Sequence, residues 1–279
     1  NNRCAYCIIP FIRGNYRSKR QEAVIAEAKA LAEAGCRELI LIAQDTTYYG
    51  YDLYGEYRLP QLLKQLCQID GIRWIRLMYC YEDRITDELI QTIREDDKIC
   101  NYLDIPIQHA SDNILKAMKR RSTNRSITDK IAKLKEQIPD IHIRTTLITG
   151  FPGETEEEFQ QTLNFVREIG FSKVHIFCYS RREGTPAAQM ENQIDEQVKT
   201  QRSKRLSAVA EKCAENFFSL QVGRIEKVLL EQEKDGFFEG YTENYTPVRV
   251  KADGRFKGDI VDVEIVSSQK DGCLGRPVS

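Results

Sequence analysis

Hydrophobic and polar positions follow two different spacings along most of the chain. Apolar residues three or four positions apart predict helices, whereas short, continuously apolar runs between them predict buried strands. The predicted helices are 21–34, 59–67, 86–94, 114–119, 126–137 and 155–169. The predicted strands are 37–43, 74–80, 102–107, 141–149 and 173–179. Because parallel strands need crossover connections, this alternation predicts an α/β fold with a helix-covered parallel sheet or barrel.

The residues that follow these strands are polar or glycine-rich, unlike the strands themselves. They are Gln44-Asp45, Tyr81, Gln108-His109, Gly150-Phe151-Pro152-Gly153 and Tyr179-Ser180. In parallel α/β folds, ligands bind where the carboxyl ends of the strands meet. We therefore expect the functional site to consist of these five loops together with the segment before Gln21.

A change of pattern near residue 223 predicts a second unit. Residues 195–220 form a long amphipathic and basic helix pattern, which we expect to pack on the sheet. Beyond Gly223, short alternating runs at 227–231, 237–241, 247–251 and 260–266 predict strands, and Asp-Gly pairs at 235, 253 and 271 predict their turns. We divide the chain into a core, residues 1–222, and a small antiparallel β module, residues 223–279.

Composition excludes several classes of protein. The 41 Lys and Arg residues nearly balance the 42 Asp and Glu residues, which excludes a globally basic nucleic-acid-binding chain but allows a local basic patch. A hydrophobic content of 41% provides for a core and argues against disorder. No apolar run of about 18 residues is present, so we expect no membrane partner. Nine scattered cysteines without a disulfide-scaffold density predict buried thiols and a location in the reducing cytoplasm.

Cys4-Ala5-Tyr6-Cys7 is the motif with the clearest chemistry. A CxxC spacing occurs in redox pairs, in half of a zinc site and in iron–sulfur sites. A redox pair favours a helix that begins at the cysteines, whereas Ile8-Ile9-Pro10 follows here. Zinc would need a second pair of ligands, and the remaining cysteines and the three histidines stand singly. The spacing alone leaves the three kinds of site open.

The first fourteen residues, NNRCAYCIIPFIRG, resemble the cluster loop of radical S-adenosylmethionine (SAM) enzymes. In that family three cysteines in a CxxxCxxC pattern hold a 4Fe–4S cluster, and Cys4 and Cys7 match the second and third. We expect the first ligand, and the first strand of a partial (β/α) barrel, to precede Asn1. The resemblance implies that SAM binds the open iron through its amino and carboxylate groups. An electron from the cluster then cleaves SAM to a 5′-deoxyadenosyl radical.

Further motifs are similar to the methylthiotransferase family of radical SAM enzymes. They are IIPFIRGNYRS at 8–18, GFPGET at 150–155, and Ser180 followed by EGTPAA at 183–188. That family carries a C-terminal RNA-binding-type module, so residues 223–279 are expected to be TRAM-like. Residues 43–55 and 102–112 resemble the branch that methylthiolates the β-carbon of an aspartate on the twelfth small-subunit ribosomal protein.

Residues 240–250, GYTENYTPVRV, look instead like the module of a tRNA-modifying branch. The barrel surrounds the chemistry and is given more weight than this segment, so the leading hypothesis is an enzyme for the ribosomal-protein aspartate. Methylthiolation of a tRNA adenosine, or an inactive RNA-binding fragment, are the alternatives. The resemblance also implies a second 4Fe–4S cluster in an N-terminal domain that this sequence does not match, and a reductant such as flavodoxin or ferredoxin.

The resemblance assigns roles to residues of the cysteine loop and of the first strand end. Cys4 and Cys7 are expected to ligate the cluster. Tyr6 lies where the family has an aromatic residue near the adenine, or packs on the rim of the barrel. Gln44 and Asp45 are expected at the SAM amino group, although an ordinary polar loop is the alternative.

Later loops supply the other expected SAM contacts. Gln108 is expected at the ribose, and His109 either touches substrate or is a loop histidine with internal partners. Arg144 lies inside a strand, where a charge must be paired, either with the SAM carboxylate or in an internal salt bridge. Gly150 is expected near the adenine, and Tyr179 is expected to line its pocket.

Two basic segments are candidates for contacts to RNA phosphates. One contains Lys116, Lys119, Arg120 and Arg121, and the other is the basic face of 199–212. A solvated helix face is the alternative for both.

Overall fold

Two sheets organise the chain in the computed structural model, which describes residues 2–138, 140–252 and 254–278. The first is a parallel sheet of five strands in the order β1-β2-β3-β4-β5, and the second is a closed five-stranded barrel. Asp253, part of one predicted turn, lies outside the described residues. In the described part of the chain, no helix is both long and apolar enough to cross a bilayer.

The parallel sheet contains the five strands that the sequence predicts. They are β1 (Glu38–Leu41), β2 (Trp74–Leu77), β3 (Ile99–Asp104), β4 (His142–Thr149) and β5 (Lys173–Cys178). Each strand pairs in parallel with the next one along the chain. Because the spatial order follows the chain order, all five carboxyl ends lie along one edge, as in a partial (β/α) barrel.

Helices connect and cover these strands. They are α1 (Ile9–Arg13), α2 (Gln21–Glu33), α3 (Tyr51–Tyr54), α4 (Leu59–Leu66), α5 (Asp87–Glu95), α6 (Asp112–Ala117), α7 (Asn124–Gln137), α8 (Glu156–Ile169) and α9 (Glu196–Ser219). Short 3₁₀ turns lie at Thr46–Tyr48, Glu82–Arg84 and Pro186–Gln189. The hydroxyls of Thr86 and Thr155 cap α5 and α8, since they accept backbone N–H bonds from Leu89 and Glu158.

The main core lies between the sheet and these helices. Leu63 and Leu66 of α4, Ile90 of α5 and Ile127 of α7 are almost completely buried, as is Phe159 of α8. These residues recur at helical spacing, which is why the sequence pattern located their helices. Each such side chain contributes about 1.5–3 kcal/mol through removal of apolar surface from water.

The C-terminal barrel consists of β6 (Ile225–Lys234), β7 (Phe237–Thr242), β8 (Pro247–Lys251), β9 (Ile260–Gln269) and β10 (Gly272–Pro277). Four of these strands contain the predicted runs, whereas β10 was not predicted, because GCLGRP contains two glycines and a proline. β10 pairs antiparallel with β9 and parallel with β8, and this second pairing closes the barrel. Gly275 of β10 is required there, since a Cβ would lie 2.2 Å from Val263.

The barrel packs against the amino-terminal part of the parallel sheet. Arg76 of β2 is fully buried, and its guanidinium donates to the carbonyl oxygens of Glu243 (2.5 Å) and Thr242 (3.3 Å). The backbone N–H of Asn101 in β3 donates to the Glu243 carboxylate at 3.3 Å. The carboxyl ends of the strands therefore remain open for a site.

Candidate functional site

A cavity of about 810 Å³ lies at the carboxyl ends of the parallel strands. Seven of the nine predicted site residues line it: Cys4, Tyr6, Cys7, Gln44, Asp45, Gln108 and Arg144. The sheet order brings the strand-end loops together, and the segment before Gln21 closes over them. The structure thus places three of the five predicted loops, those with Gln44-Asp45, Tyr81 and Gln108, at the expected site.

Backbone hydrogen bonds fix the cysteine loop. The Ala5 N–H donates to the carbonyl of Met118 at 2.9 Å, and the Ala5 carbonyl accepts from Ala187 at 2.9 Å. Cys7 N–H donates to the Cys4 carbonyl at 3.1 Å, which closes a turn between the two thiols. Cys4 is buried and Cys7 is half-buried, and burial raises the pKa of the Cys7 thiol.

Tyr81 lies against the sulfur of Cys4, with its hydroxyl oxygen 3.7 Å from Sγ. Burial, followed by the neighbouring Cys4, raises the pKa of the Tyr81 phenol above its ordinary value. The guanidinium of Arg120 lies 4.3 Å from the centre of the Tyr81 ring. The sequence identified Tyr81 as a strand-end residue but assigned it no role, because its contact to Cys4 spans 77 positions.

Arg120 forms an internal ion pair and is not part of an exposed RNA-binding surface. It is buried, and its guanidinium binds Glu82 at 3.1 Å and the Pro106 carbonyl at 3.0 Å. Lys199 and Arg202 of α9 are also buried. The expectation that these three residues contact phosphates is therefore wrong, because each of them is paired with a carboxylate of the protein. The carboxylates that pair with Arg120 and Arg202 are buried, and the one that pairs with Lys199 is exposed.

Asp45 joins the loop after β1 to the cysteine loop. Its carboxylate is paired with the buried guanidinium of Arg84 and accepts hydrogen bonds from Thr47 Oγ1 and Asn2 Nδ2, the latter at 2.8 Å. Asn2 Oδ1 in turn accepts from Arg84 at 2.9 Å. Gln44, by contrast, lines the cavity as an exposed residue. Sequence analysis missed Arg84, since nothing in its local pattern indicates this partner.

Two non-glycine residues of the cavity wall have left-handed backbones. Tyr79 has a φ of 55° and Gln108 has a φ of 72°. Such conformations cost on the order of 1–2 kcal/mol and often occur at functional sites. Gln108 is held there because its N–H donates to the Thr146 carbonyl and its carbonyl accepts from Ile148, so its backbone bridges to β4.

Arg144 forms an internal salt bridge, which was one of the two alternatives expected for its charge. Its Nε and Nη2 bind the two carboxylate oxygens of Asp104 at 3.0 and 2.9 Å. Asp104 is fully buried, and Tyr79 N–H also donates to it, at 3.3 Å. This bidentate pair holds Arg144 in the floor of the cavity.

Gly150 and Tyr179 do not line the cavity. Gly150 has a φ of 71°, and a Cβ at this position would lie 2.3 Å from Cγ of Lys199, so the aliphatic part of that side chain covers it. Tyr179 is buried in a small apolar cluster with Phe151, Ala5 and other residues. Through Ala5, Tyr179 therefore supports the cysteine loop from behind.

His109 is a loop histidine with internal partners. Its Nδ1 accepts from the Ser111 N–H at 3.0 Å, so its Nε2 carries the proton and donates to Glu154 at 2.9 Å. The other Glu154 oxygen accepts from Gly150 N–H (2.6 Å) and Arg202 (2.7 Å). This buried network connects the loops after β3 and β4 to α9, and His109 does not line the cavity.

The donor set at the cysteine loop suits part of an iron–sulfur ligand shell. Cys4 and Cys7 supply two soft sulfur ligands beside the cavity. Across the described residues, no group of three or more His, Cys, Asp and Glu side chains is placed to hold a metal ion. The two thiols therefore fit two positions of a three-cysteine cluster and do not form a zinc site alone.

Residues 1–166 match the Radical SAM superfamily, and the chain belongs to it. The chain is 47% identical, over 99% of its length, to the ribosomal protein uS12 methylthiotransferase RimO of Clostridioides difficile. It is 48% identical, over 98% of its length, to the protein of the same name from Lachnoclostridium phytofermentans. The chain spans 64% of the length of each of these relatives. The similarity to methylthiotransferases noted from the sequence is thereby confirmed.

Solved structures confirm the fold class. Coproporphyrinogen III oxidase (HemN) from Escherichia coli superposes with a TM-score of 0.57 at 19% identity, covering 78% of this chain and 51% of that one. The methyltransferase TsrM from Kitasatospora setae gives a TM-score of 0.56 at 16% identity, covering 66% of this chain and 36% of its own. At these identities the similarity concerns the fold.

Proposed function

We propose that this chain is the radical SAM portion of a methylthiotransferase that modifies an aspartate β-carbon on the twelfth small-subunit ribosomal protein. The observation that carries the proposal is that Cys4, Cys7 and five further predicted SAM contacts line one cavity. The names of the relatives favour the ribosomal protein as substrate. The tRNA-like segment 240–250 lies in the C-terminal barrel, away from the cavity.

Cys4 and Cys7 would hold the cluster together with a third cysteine that precedes Asn1. The cluster, when bound, supplies the electron for reductive cleavage of SAM. Gln44 would bind the SAM amino group, since its amide lines the open wall of the cavity. Gln108 would bind the ribose from its constrained backbone, and Tyr6 would contact the adenine.

Asp45 and Arg144 would act mainly by holding the cavity in shape. The oxygens of Asp45 are occupied by Arg84, Thr47 and Asn2, so this carboxylate positions the cysteine loop. Arg144, fixed by Asp104, places positive charge where the SAM carboxylate would lie. The tyrosines of the cavity wall would exclude water, which would strengthen the interactions of Asp45 with its partners and of Arg144 with the SAM carboxylate.

The proposal extends to organisation and partners. Residues 1–222 would form the catalytic core, and residues 223–279 a TRAM-like module. A second 4Fe–4S cluster would belong to a further domain of the whole protein, and a flavodoxin or ferredoxin would supply electrons. A ribosomal substrate places the enzyme in the cytoplasm.

The cluster assignment is tested on the whole protein after anaerobic reconstitution with iron and sulfide. Wild type should show 4Fe–4S absorbance and release 5′-deoxyadenosine from SAM with dithionite. Cys7→Ala should abolish 5′-deoxyadenosine formation by removing a ligand, whereas Cys178→Ala, an exposed single thiol, should not. Wild-type turnover by Cys7→Ala would refute the ligand assignment.

The substrate is tested in a strain that lacks the gene. Mass spectrometry of ribosomal proteins and of tRNA nucleosides should show loss of the methylthio group from the ribosomal protein, with tRNA unchanged. Complementation with wild type, but not with Cys7→Ala, should restore it. Loss from a tRNA nucleoside alone would favour the tRNA alternative, and no loss from either would favour a non-catalytic fragment.

A further inference from the structure

The phenol of Tyr81 is held in place against Cys4 by its own loop. Tyr81 precedes the 3₁₀ turn Glu82–Arg84, and its carbonyl accepts from the Arg84 N–H at 3.0 Å. Its N–H donates to Thr47 Oγ1 at 3.3 Å. The position of its hydroxyl, 3.7 Å from Cys4 Sγ, is therefore set by backbone contacts within its own loop and to Thr47 in the loop after β1.

A buried cation lies over the same ring. The Arg120 guanidinium, 4.3 Å from the ring centre, is anchored by Glu82 and by the Pro106 carbonyl. Its Nη1 is buried and has no hydrogen-bond partner among the described residues. A cation over an aromatic face withdraws electron density from it, which makes the phenolic O–H a stronger donor. Tyr81 and Arg120 thus form a polar pair behind Cys4.

We propose that Tyr81, polarised by Arg120, donates a hydrogen bond to the Cys4 thiolate of the bound cluster and raises the cluster's reduction potential. The inference rests on the proposed function, since it requires Cys4 to be a ligand. A ligating thiolate carries no proton, so Tyr81 is necessarily the donor of this pair. Hydrogen bonds to cluster sulfurs favour the reduced, more negative state, because they stabilise the added charge.

The proposal gives Tyr81 a tuning role that is separate from SAM binding. Reductive cleavage of SAM needs a low-potential cluster, yet the cluster must still accept an electron from the reductant. A hydrogen bond from Tyr81 to the Cys4 thiolate adjusts the reduction potential of the cluster between these two requirements. Cys7 lines the same cavity but differs in burial, since Cys4 is buried and Cys7 is half-buried.

The test is a potentiometric titration of the reconstituted whole protein, followed by EPR, without SAM or substrate. A separate sample with SAM identifies the relevant cluster as the one whose EPR signal changes. Tyr81→Phe removes the donor and keeps the ring, so its reduced-to-oxidised ratio at a given potential should fall about tenfold, equivalent to about 59 mV for one electron. Tyr79→Phe is the matched control, because Tyr79 lines the same cavity.

We expect both variants to retain wild-type iron content and Tyr79→Phe to retain the wild-type potential. A Tyr81→Phe protein with intact cluster and unchanged potential would overturn the inference and leave the proposed function standing. An equal shift in Tyr79→Phe would also overturn it, since the effect would then be general to the cavity. A wild-type protein that binds no SAM-responsive cluster would overturn the proposed function itself.

Discussion

Three buried arginines of this chain form ion pairs with buried carboxylates, whereas the buried ring nitrogen of His142 has no hydrogen-bond partner among the described residues. Arg76–Glu38, Arg84–Asp45 and Arg120–Glu82 are each almost completely buried ion pairs. His142, at the start of β4, packs edge-on against Phe217 at 4.3 Å, and its buried Nε2 has no hydrogen-bond partner among the described residues. A protonated imidazole there would add an unpaired buried charge.

Acid should therefore destabilise the fold through His142. Burial lowers the pKa of His142 to about 4, against the influence of Asp140, whereas the unfolded value is near 6.5. Between these pH values the unfolded chain binds more protons than the folded chain. The contribution of His142 to the free energy of unfolding is therefore fully present above about pH 6.5 and decreases as the pH falls toward 4. At pH 5 the loss is about 2 kcal/mol relative to pH 8.

Urea denaturation at pH 8 and pH 5 measures this loss. His142→Phe keeps an aromatic ring against Phe217 and cannot be protonated, so its stability should fall less between the two pH values than that of wild type. If wild type and variant lose the same stability, His142 is not the group responsible.

At the scale of elements, helix α8 illustrates how local signals determine structure. Thr155 Oγ1 accepts from the Glu158 N–H, and the Glu158 carboxylate accepts from the Thr155 N–H, so both partners lie within four residues. Loss of such a cap costs about 1 kcal/mol. Thr155→Ala should lower the free energy of unfolding by about that amount, as measured by urea denaturation.

Thr155→Ser is the matched control, because it keeps the hydroxyl and should keep most of the stability. The cap also adjoins Glu154, so activity is a poor readout for this variant and stability is the one to measure. A Ser variant as unstable as the Ala variant would show that the methyl group, not the cap, matters.

The same distinction between local and distant contacts explains what the sequence could predict. The longer helices and the five parallel strands depend on neighbours in sequence, and their patterns predicted them, whereas the short helices α1 and α3 were not predicted. The positions of Gln44 and Gln108 at one cavity followed from parallel topology. The roles of Tyr81, Arg84 and Glu82 depend on partners about 40 or more positions away, which no periodicity encodes.

Tyr179 and Gly150 mark the limit of that topological argument. Both follow strands, as Gln44 and Gln108 do, yet Tyr179 packs with Ala187 of the 186–189 turn and the Lys199 side chain of α9 covers Gly150. Strand β10 was missed for a different reason, since its glycines satisfy close packing in the barrel rather than a β-pattern.

At the scale of the whole molecule, the cavity and the C-terminal barrel lie at opposite ends of the parallel sheet. The residues that line the cavity all precede Cys178 in the chain. The barrel instead meets the sheet at Arg76, whose guanidinium lies 4.3 Å from the Tyr245 ring centre and binds Glu38 at 2.6 Å. The barrel therefore contributes no residue to the lining of the cavity.

Arg76 should also make the two units unfold together. Its side chain connects Glu38 of β1 to two carbonyl oxygens of the barrel, all within a buried interface. Arg76→Met with Glu38→Gln removes both charges at once, which avoids an unpaired buried carboxylate. We expect calorimetry of this double variant to resolve two transitions where wild type has one, and limited proteolysis to cut near residues 220–224.

Arg224→Ala is the matched control, because its pair with Asp140 is partly exposed and contributes little. One cooperative transition in the double variant would mean that apolar contacts such as those of Trp74 and Leu229 suffice to couple the units.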